Sequence, residues 1–421
     1  MSEENHITCA GKETQADLHI RMPEQAEYIL ETLHRSGFEA CIVGGCVRDS
    51  LLGKTPGDWD ITTSALPGQV KSLFPRTIDT GIAHGTVTVM RGKEAYEVTT
   101  YRIDGEYEDS RHPKNVVFTS SLEEDLKRRD FTINAMAYSR QTGLVDLFGG
   151  VRDLEKGLIR CVGEPSDRFG EDALRMLRAL RFCAQLGFEI EADTRKALRT
   201  LAPSLARVSK ERIQTELTKL LMSGHPEAID MVFQDGLAPF VCPSFPVIMP
   251  DELYMDHRLP ALRHLRWAAL LCRRTAEEAE QILKELKLDN DTIHRVRLLV
   301  RWWRKPAGTD EASLRRTMSR MSGEQFDDLI TFKRFMPGIP ENPEELEQIR
   351  ELTETIRTRG DCVSLKTLAL SGKDLIGLGM SPGPAMGETL NSLLELVLEY
   401  PEKNTRKQLI KELEKASGKS T

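Results

Sequence analysis

Long hydrophobic runs are missing from this 421-residue chain. No segment approaches the roughly 20 apolar residues that cross a bilayer, and the first residues do not form a basic start leading into an apolar block. Neither membrane insertion nor a secretory leader is expected. Cysteine is sparse and scattered: the eight cysteines form no Cys-x-x-Cys pair, and no histidine cluster accompanies them. A zinc site and a disulfide framework are therefore not predicted, and a reducing cytoplasm fits. A basic excess is also lacking. The net charge of −7 does not describe a protein that sticks to nucleic acid all over, although a local stripe can still hold a backbone. Local surplus exists where Arg295, Arg297, Arg301, Arg304 and Lys305 crowd around Trp302 and Trp303, and in the last 21 residues, with six Lys or Arg against three Glu. The length exceeds one ordinary core, so several domains are expected.

What is present is organised around residues 42–61, IVGGCVRDSLLGKTPGDWDI. A short apolar run ends in Gly44-Gly45, a helical turn carries Arg48 and Asp49, and a Pro-Gly turn precedes Asp58 and Asp60. If Trp59 lies on a strand, the two carboxylates point to one face, where they repel unless a cation sits between them. Oxygen-only ligands suit Mg²⁺, which takes one or two carboxylates plus substrate phosphates. The glycine pair lets backbone approach a phosphate, and Arg48 can neutralise one.

Before this stretch, 23–36 reads as an amphipathic helix, with Ala26, Ile29, Leu30 and Leu33 on one face. After it, 67–74 reads as a short helix, and strands over 86–90 and 96–101 form a hairpin around Arg91-Gly92. Glu97 faces opposite to Tyr96 and Val98, either as a solvated edge residue or as a third carboxylate. Residues 102–118 are polar, carry both charges, and read as a functional loop. Helical periodicity resumes over 122–140, Asp146 to Gly150 marks a hinge or domain edge, and from about Asp167 onward no strand signal remains.

Five segments taken together, GGCVRDSLLG with DWD, RRDFTINAMAY, DLFGG, EDALRMLRALRF and RVSKERIQTELTKLL, cover roughly residues 40–221. In this order the chain resembles the class II tRNA nucleotidyltransferases, the family of CCA-adding enzymes and bacterial poly(A) polymerases. The resemblance implies an α+β fold: a polymerase β-like nucleotidyltransferase head over 1–156, then an all-α neck (157–225), body (226–310) and tail (311–421), the tail binding tRNA. It implies Asp58 and Asp60 as metal ligands for Mg²⁺, with Glu97 as the third catalytic carboxylate, and transfer of a nucleotide to an RNA 3′-hydroxyl with loss of pyrophosphate. Within the family Gly45, Arg48, Arg129, Arg178 and Arg181 match positions that contact the nucleotide. Asp130 and Asn134 match a motif associated with the sugar, and Arg207, Glu211, Arg212 and Glu216 are expected to brace the nucleotide helix from behind.

Asp172 and Arg175, three apart on a helix, project to one side. The plain reading is a surface ion pair of Glu171 with Arg175. The sharper one is a protein template: Asp172 accepts from the exocyclic amino group of cytosine or adenine, and Arg175 donates to the ring acceptor beside it. Arg178 and Arg181 drift around the helix, which leaves a solvated stripe open for them. CTP, ATP and the tRNA acceptor end are the implied partners. Full CCA addition is the expected activity. A-only addition or poly(A) synthesis are the alternatives, with an inactive RNA-binding relative behind them. The segment 372–387 carries Gly and Pro spacing that serves either phosphate contact or helix caps, and Arg297, Arg301 and Arg304 read as a solvated helix face.

Overall fold

The computed structural model describes residues 19–104, 116–245 and 255–416. The chain divides into two compact units, one of residues 1–251 with 285–287, the other of 252–284 with 288–421.

In the first unit, helix α1 (Glu24–Arg35) forms because Ala26, Ile29, Leu30 and Leu33 recur on one face, and all four are buried. Ile29 and Leu33 are fully enclosed, a burial that contributes about 1.5–3 kcal/mol for each side chain. Strand β1 (Ala40–Val43) follows and runs into α2 (Gly45–Leu51). Next come β2 (Ile61–Thr63), α3 (Pro67–Leu73), β3 (Thr77–Gly81), β4 (Thr86–Arg91) and β5 (Glu94–Thr100). Two short strands, β6 (Arg102–Asp104) and β7 (Val116–Phe118), pair with each other; the loop predicted over 102–118 begins and ends in this ladder, and residues 105–115 lie outside the described ones. Helix α4 (Leu122–Lys127), β8 (Met136–Ser139), β9 (Gly143–Asp146) and α5 (Gly150–Glu155) complete the sheet region. The seven strands are ordered β3-β4-β5-β2-β1-β8-β9. Only β2 and β5 run parallel; the other pairs are antiparallel. Along β5, Tyr96 and Val98 are buried while Glu97 is exposed, so the face carrying Glu97 is open.

Several expectations are corrected. Residues 122–140 do not form one helix. The Asp130 carboxylate accepts from the Phe131 N–H at 2.9 Å and from Asn134 Nδ2 at 3.2 Å, and such local bonds compete with helix formation. The chain then turns through Thr132–Asn134 into β8, which is wholly buried. Asp146 to Gly150, read as a hinge or domain edge, forms a capped strand-to-helix turn within the first unit. Asp146 accepts from the N–H groups of Gly150 and Val151 at 2.7 and 3.0 Å, with Gly149 at φ 75°. Gly150 is required for space: a Cβ there would lie 2.4 Å from the Thr132 carbonyl oxygen and 2.9 Å from Met136 Sδ. Gly150→Ala is expected to destabilise the head by about 3 kcal/mol; an unchanged urea midpoint would show that this packing relaxes freely.

Helices α6 (Pro165–Glu171), α7 (Leu174–Leu186), α8 (Ala192–Leu201) and α9 (Lys210–Leu221) follow. A two-residue strand, Glu189–Ile190, escapes sequence reading because it is too short to alternate; it pairs in parallel with Leu158–Ile159.

Every regular element described in the second unit is a helix. Its cores gather Leu314, Phe326, Ile349 and Ile356, and separately Leu370, Val397, Leu398 and Leu409. Lys333 is fully buried against Glu341 at 2.6 Å and the Lys305 carbonyl at 2.7 Å. Arg297 and Arg301 are tied to Glu280 and Glu277, and of the two neighbouring tryptophans only Trp303 is fully packed. In the 372–387 segment Ser371 caps Gly372–Gly377, and Gly379 ends that helix at φ 88°. Among the described residues no helix is long and apolar enough to cross a membrane.

Candidate active site

The site begins where β1 ends. Gly44 stands at φ 79° before α2, a conformation that disfavours any side chain. A Cβ on it would also meet Arg129 Nη1 at 3.2 Å. Arg48 of α2, almost entirely buried, donates to Asn134 Oδ1 at 2.6 Å and to Asp49 at 2.8 Å, and lies over the Phe182 ring at 5.2 Å.

Asp58, Trp59 and Asp60 are not on a strand: β2 starts at Ile61, and Asp60 is anchored instead by its carbonyl, which accepts from the Val43 N–H at 3.0 Å. The parallel register pairs Ile61 with Val98, and one step back it sets Asp60 beside Glu97. Burial, then the charges of Asp58 and Glu97, push the Asp60 carboxyl up to about 6, while Arg129 opposes them. β5 lies between β4 and β2, so Glu97 is not an edge residue. A carboxyl raised by two neighbouring acids marks a donor set suited to a cation. Among the described residues, no three His, Cys, Asp or Glu side chains, Asp58, Asp60 and Glu97 included, are gathered closely enough to hold a metal ion by themselves.

The candidate arginines are each held by an acid of their own. Asp130 takes Arg178 in a fork at 2.8 and 2.5 Å. Burial alone would raise Asp130, but Arg178 and Arg175 outweigh it and hold its carboxyl at about 2. Arg181 pairs with Glu216 at 2.6 Å and covers the Phe182 ring at 4.1 Å. Neither Arg178 nor Arg181 belongs to a solvated stripe. Arg129 reaches Asp125 at 3.3 Å.

The expected base-reading pair is arranged differently from a single helical face. Asp172 ends α6 in an extended conformation and accepts from the Leu174 N–H at 3.0 Å, so the helix breaks between Asp172 and Arg175. The Asp172 carboxylate takes Arg212 of α9 at 2.6 and 3.3 Å. Arg175 reaches Glu171 at 2.5 Å and donates to the Arg168 and Arg128 carbonyls, both at 3.1 Å. Arg212 and Glu216 thus back two candidate residues from α9, as expected of a brace. Phe182, the ring beneath Arg48, Arg178 and Arg181, was not singled out by sequence reading; its only signal was an aromatic between arginines. Asp125 was missed too, although its spacing of three and four residues from Arg128 and Arg129 announces the pairing.

Comparison with known proteins places the chain among relatives. Three family models match: "Poly A polymerase head domain" over residues 40–160, "Probable RNA and SrmB- binding site of polymerase A" over 187–248, and "tRNA nucleotidyltransferase domain 2 putative" over 262–413. The CCA-adding enzyme of Geobacillus thermodenitrificans is 40% identical over 403 residues, 92% of this chain and 95% of that one. The CCA-adding enzyme of Leuconostoc mesenteroides is 38% identical over 377 residues, 87% of this chain and 90% of that one. Among solved structures, the Bacillus stearothermophilus CCA-adding enzyme in complex with CTP superposes with a TM-score of 0.79 at 32% identity, covering 95% of this chain and 100% of that one.

Proposed function

Because the chain belongs to the family of CCA-adding tRNA nucleotidyltransferases, we propose that it completes the 3′ end of tRNA, adding C, C and A from CTP and ATP without a nucleic-acid template and releasing pyrophosphate. The observation that supports this reading is that Asp58, Glu97 and Arg129 all act on the partly buried Asp60 carboxylate, with the β2–β5 register setting Glu97 beside it. The family implies a divalent metal; we assign Mg²⁺, with Asp58 and Asp60 as its ligands and Glu97 as the third carboxylate. When bound, the ion supplies positive charge to the triphosphate and acidifies the attacking 3′-hydroxyl.

The protein's own part is positioning. Gly44 and Gly45 let backbone approach the phosphates, and Arg129 and Arg48 neutralise them. Asp172 accepts a hydrogen bond from the N4 amino group of cytosine or the N6 amino group of adenine, and Arg175 donates to the neighbouring ring nitrogen. Uracil and guanine present a carbonyl oxygen at that point and set an acceptor against a carboxylate. The two accepted bases share a donor at one position, which explains how one pocket serves both. Arg178 and Arg181, fixed by Asp130 and Glu216 over Phe182, form the wall against which the nucleotide rests.

We assign the head to residues 1–156, the neck to 157–225, the body to 226–310 and the tail to 311–421, with the tail holding tRNA, and we place the protein in the cytoplasm. All seven described cysteines are free and buried, which suits a reducing compartment.

The direct test is incorporation onto tRNA lacking its terminal CCA, with labelled CTP alone, ATP alone, and both. Two cytidines followed by one adenosine and then a stop is the expected product. Adenosine added only to tRNA already ending in CC would make the protein an A-adding enzyme, and long A tracts on any RNA would make it a poly(A) polymerase.

A further inference from the structure

Asp125 is fully buried on α4, behind the carboxylates of the site and not among them. Its Oδ1 accepts from Arg128 Nε at 3.0 Å, Arg128 Nη2 at 2.8 Å and the Arg102 N–H at 3.4 Å. Its Oδ2 accepts from Thr62 Oγ1 at 3.1 Å and Arg129 Nη2 at 3.3 Å. One buried acid therefore touches β2 two residues past Asp60, the first residue of β6, and both arginines of the RRDF segment. The two arginines are held unequally. Arg128 gives two short bonds, both to Oδ1. Arg129 makes one long bond, and among the described residues its buried Nε has no hydrogen-bond partner. On its other side Arg129 lies against Gly44 and acts electrostatically on Asp60. A guanidinium shared between two acids goes to whichever is left uncompensated.

We propose that Asp125 is a positioning residue for nucleotide binding: it holds Arg129 back from Asp58 and Asp60, keeping those acids open for the divalent ion and Arg129 available to the triphosphate. Arg128 keeps Asp125 compensated while Arg129 turns to substrate. Without the charge on Asp125, Arg129 closes onto Asp60 and both partners are lost to the nucleotide. The proposal rests on the reading of Arg129 as a triphosphate ligand.

The test is a double-mutant cycle in the full-length protein, using Asp125→Asn, Arg129→Gln and the two together. CTP affinity is measured calorimetrically in metal-free buffer, and KM and kcat on tRNA lacking CCA with Mg²⁺. Asp125→Asn is expected to weaken metal-free CTP binding and raise KM for CTP by about tenfold, with kcat within about threefold. In the Arg129→Gln background it is expected to add nothing. Losses that add, or a fall in kcat at constant KM, overturn the role of Asp125 alone. CTP binding unaffected by Arg129→Gln overturns the reading of Arg129 and the role of Asp125 with it. Should Asp125→Asn not fold, Arg128→Gln gives the same information: Asp125 then claims Arg129 as its only cation, and CTP binding weakens by a similar factor. Unchanged binding in that variant overturns the proposal.

Discussion

Asp60→Asn is expected to lower nucleotide incorporation by a factor on the order of a thousand or more, while tRNA binding and the fold persist. Asp60 stands beside Glu97 across the parallel pair of strands and close to Asp58 along the chain, and in the proposed assignment it carries part of the cation site that phosphoryl transfer requires. The same substitution has a second, opposite signature in stability. The unfolded chain holds this carboxyl near its ordinary 3.8, and the folded protein holds it at about 6. Below the lower value the group is protonated in both states and has no effect. Between the two values the folded state keeps a proton the unfolded state has lost, and above about 6 the folded state carries the charge at a cost. Asp60→Asn removes that cost, so its melting temperature should exceed the wild type's at pH 8, by less at pH 5, and match it only below about pH 4. Mg²⁺ should raise the melting temperature of the wild type and do so far less in the variant. A shift of equal size in both proteins would place the ion elsewhere.

Asp172→Ala is expected to act on selection more than on fold. CTP incorporation should fall about 10- to 100-fold, and the ratio of CTP to UTP incorporation should narrow by a similar factor. On the proposed reading of Asp172, the variant removes the acceptor that a cytosine or adenine amino group requires and ends the conflict that a uracil or guanine carbonyl meets there. Arg212 sharpens the expectation, because it fixes the carboxylate from behind at 2.6 Å, so the acceptor is oriented before the base arrives. Arg212→Ala should therefore reproduce part of the loss for CTP without admitting UTP, since the repelling oxygen remains. Competition between CTP and UTP on one tRNA lacking CCA measures both. If Asp172→Ala excludes UTP as strictly as the wild type, base choice is made elsewhere.

The sequence spelled out the parts of the site that are local. Glycines before a helix, two acids around a tryptophan, and an acid with an arginine three residues on are all spacings within one element or turn. The helix-to-strand alternation through residues 24–101 was readable for the same reason: each element carries its own period. What escaped were outcomes of competition between side chain and backbone. Asp130 captures the Phe131 N–H and turns an apparent helix into a strand, and Asp172 captures the Leu174 N–H and breaks another. In both places an acid that bonds its own backbone also holds an arginine of another element, Arg178 for Asp130 and Arg212 for Asp172. Partners 48 and 40 residues away along the chain leave no trace in a local period. Glu97 was undecidable for a related reason, since edge or interior depends on which strand lies beside β5, and that strand is β2, not a neighbour in sequence.

The pairing of β2 with β5 has a consequence for how the protein comes into being. These strands are joined through α3, β3 and β4, so Asp60 and Glu97 meet only after the whole excursion from Ile61 to Val98 has closed. Closing that loop costs chain entropy before any carboxylate pair exists, and contacts of this range form late. A divalent ion therefore cannot nucleate the head; it can only reward a sheet in which β5 has already joined β2. A nascent chain that has emerged as far as β4 holds the two aspartates without the strand that supplies their companion. The carboxylates of β2's leading turn and of β5 come together only in the step that seats β5 beside β2, before β8 and β9 extend the sheet on its other side.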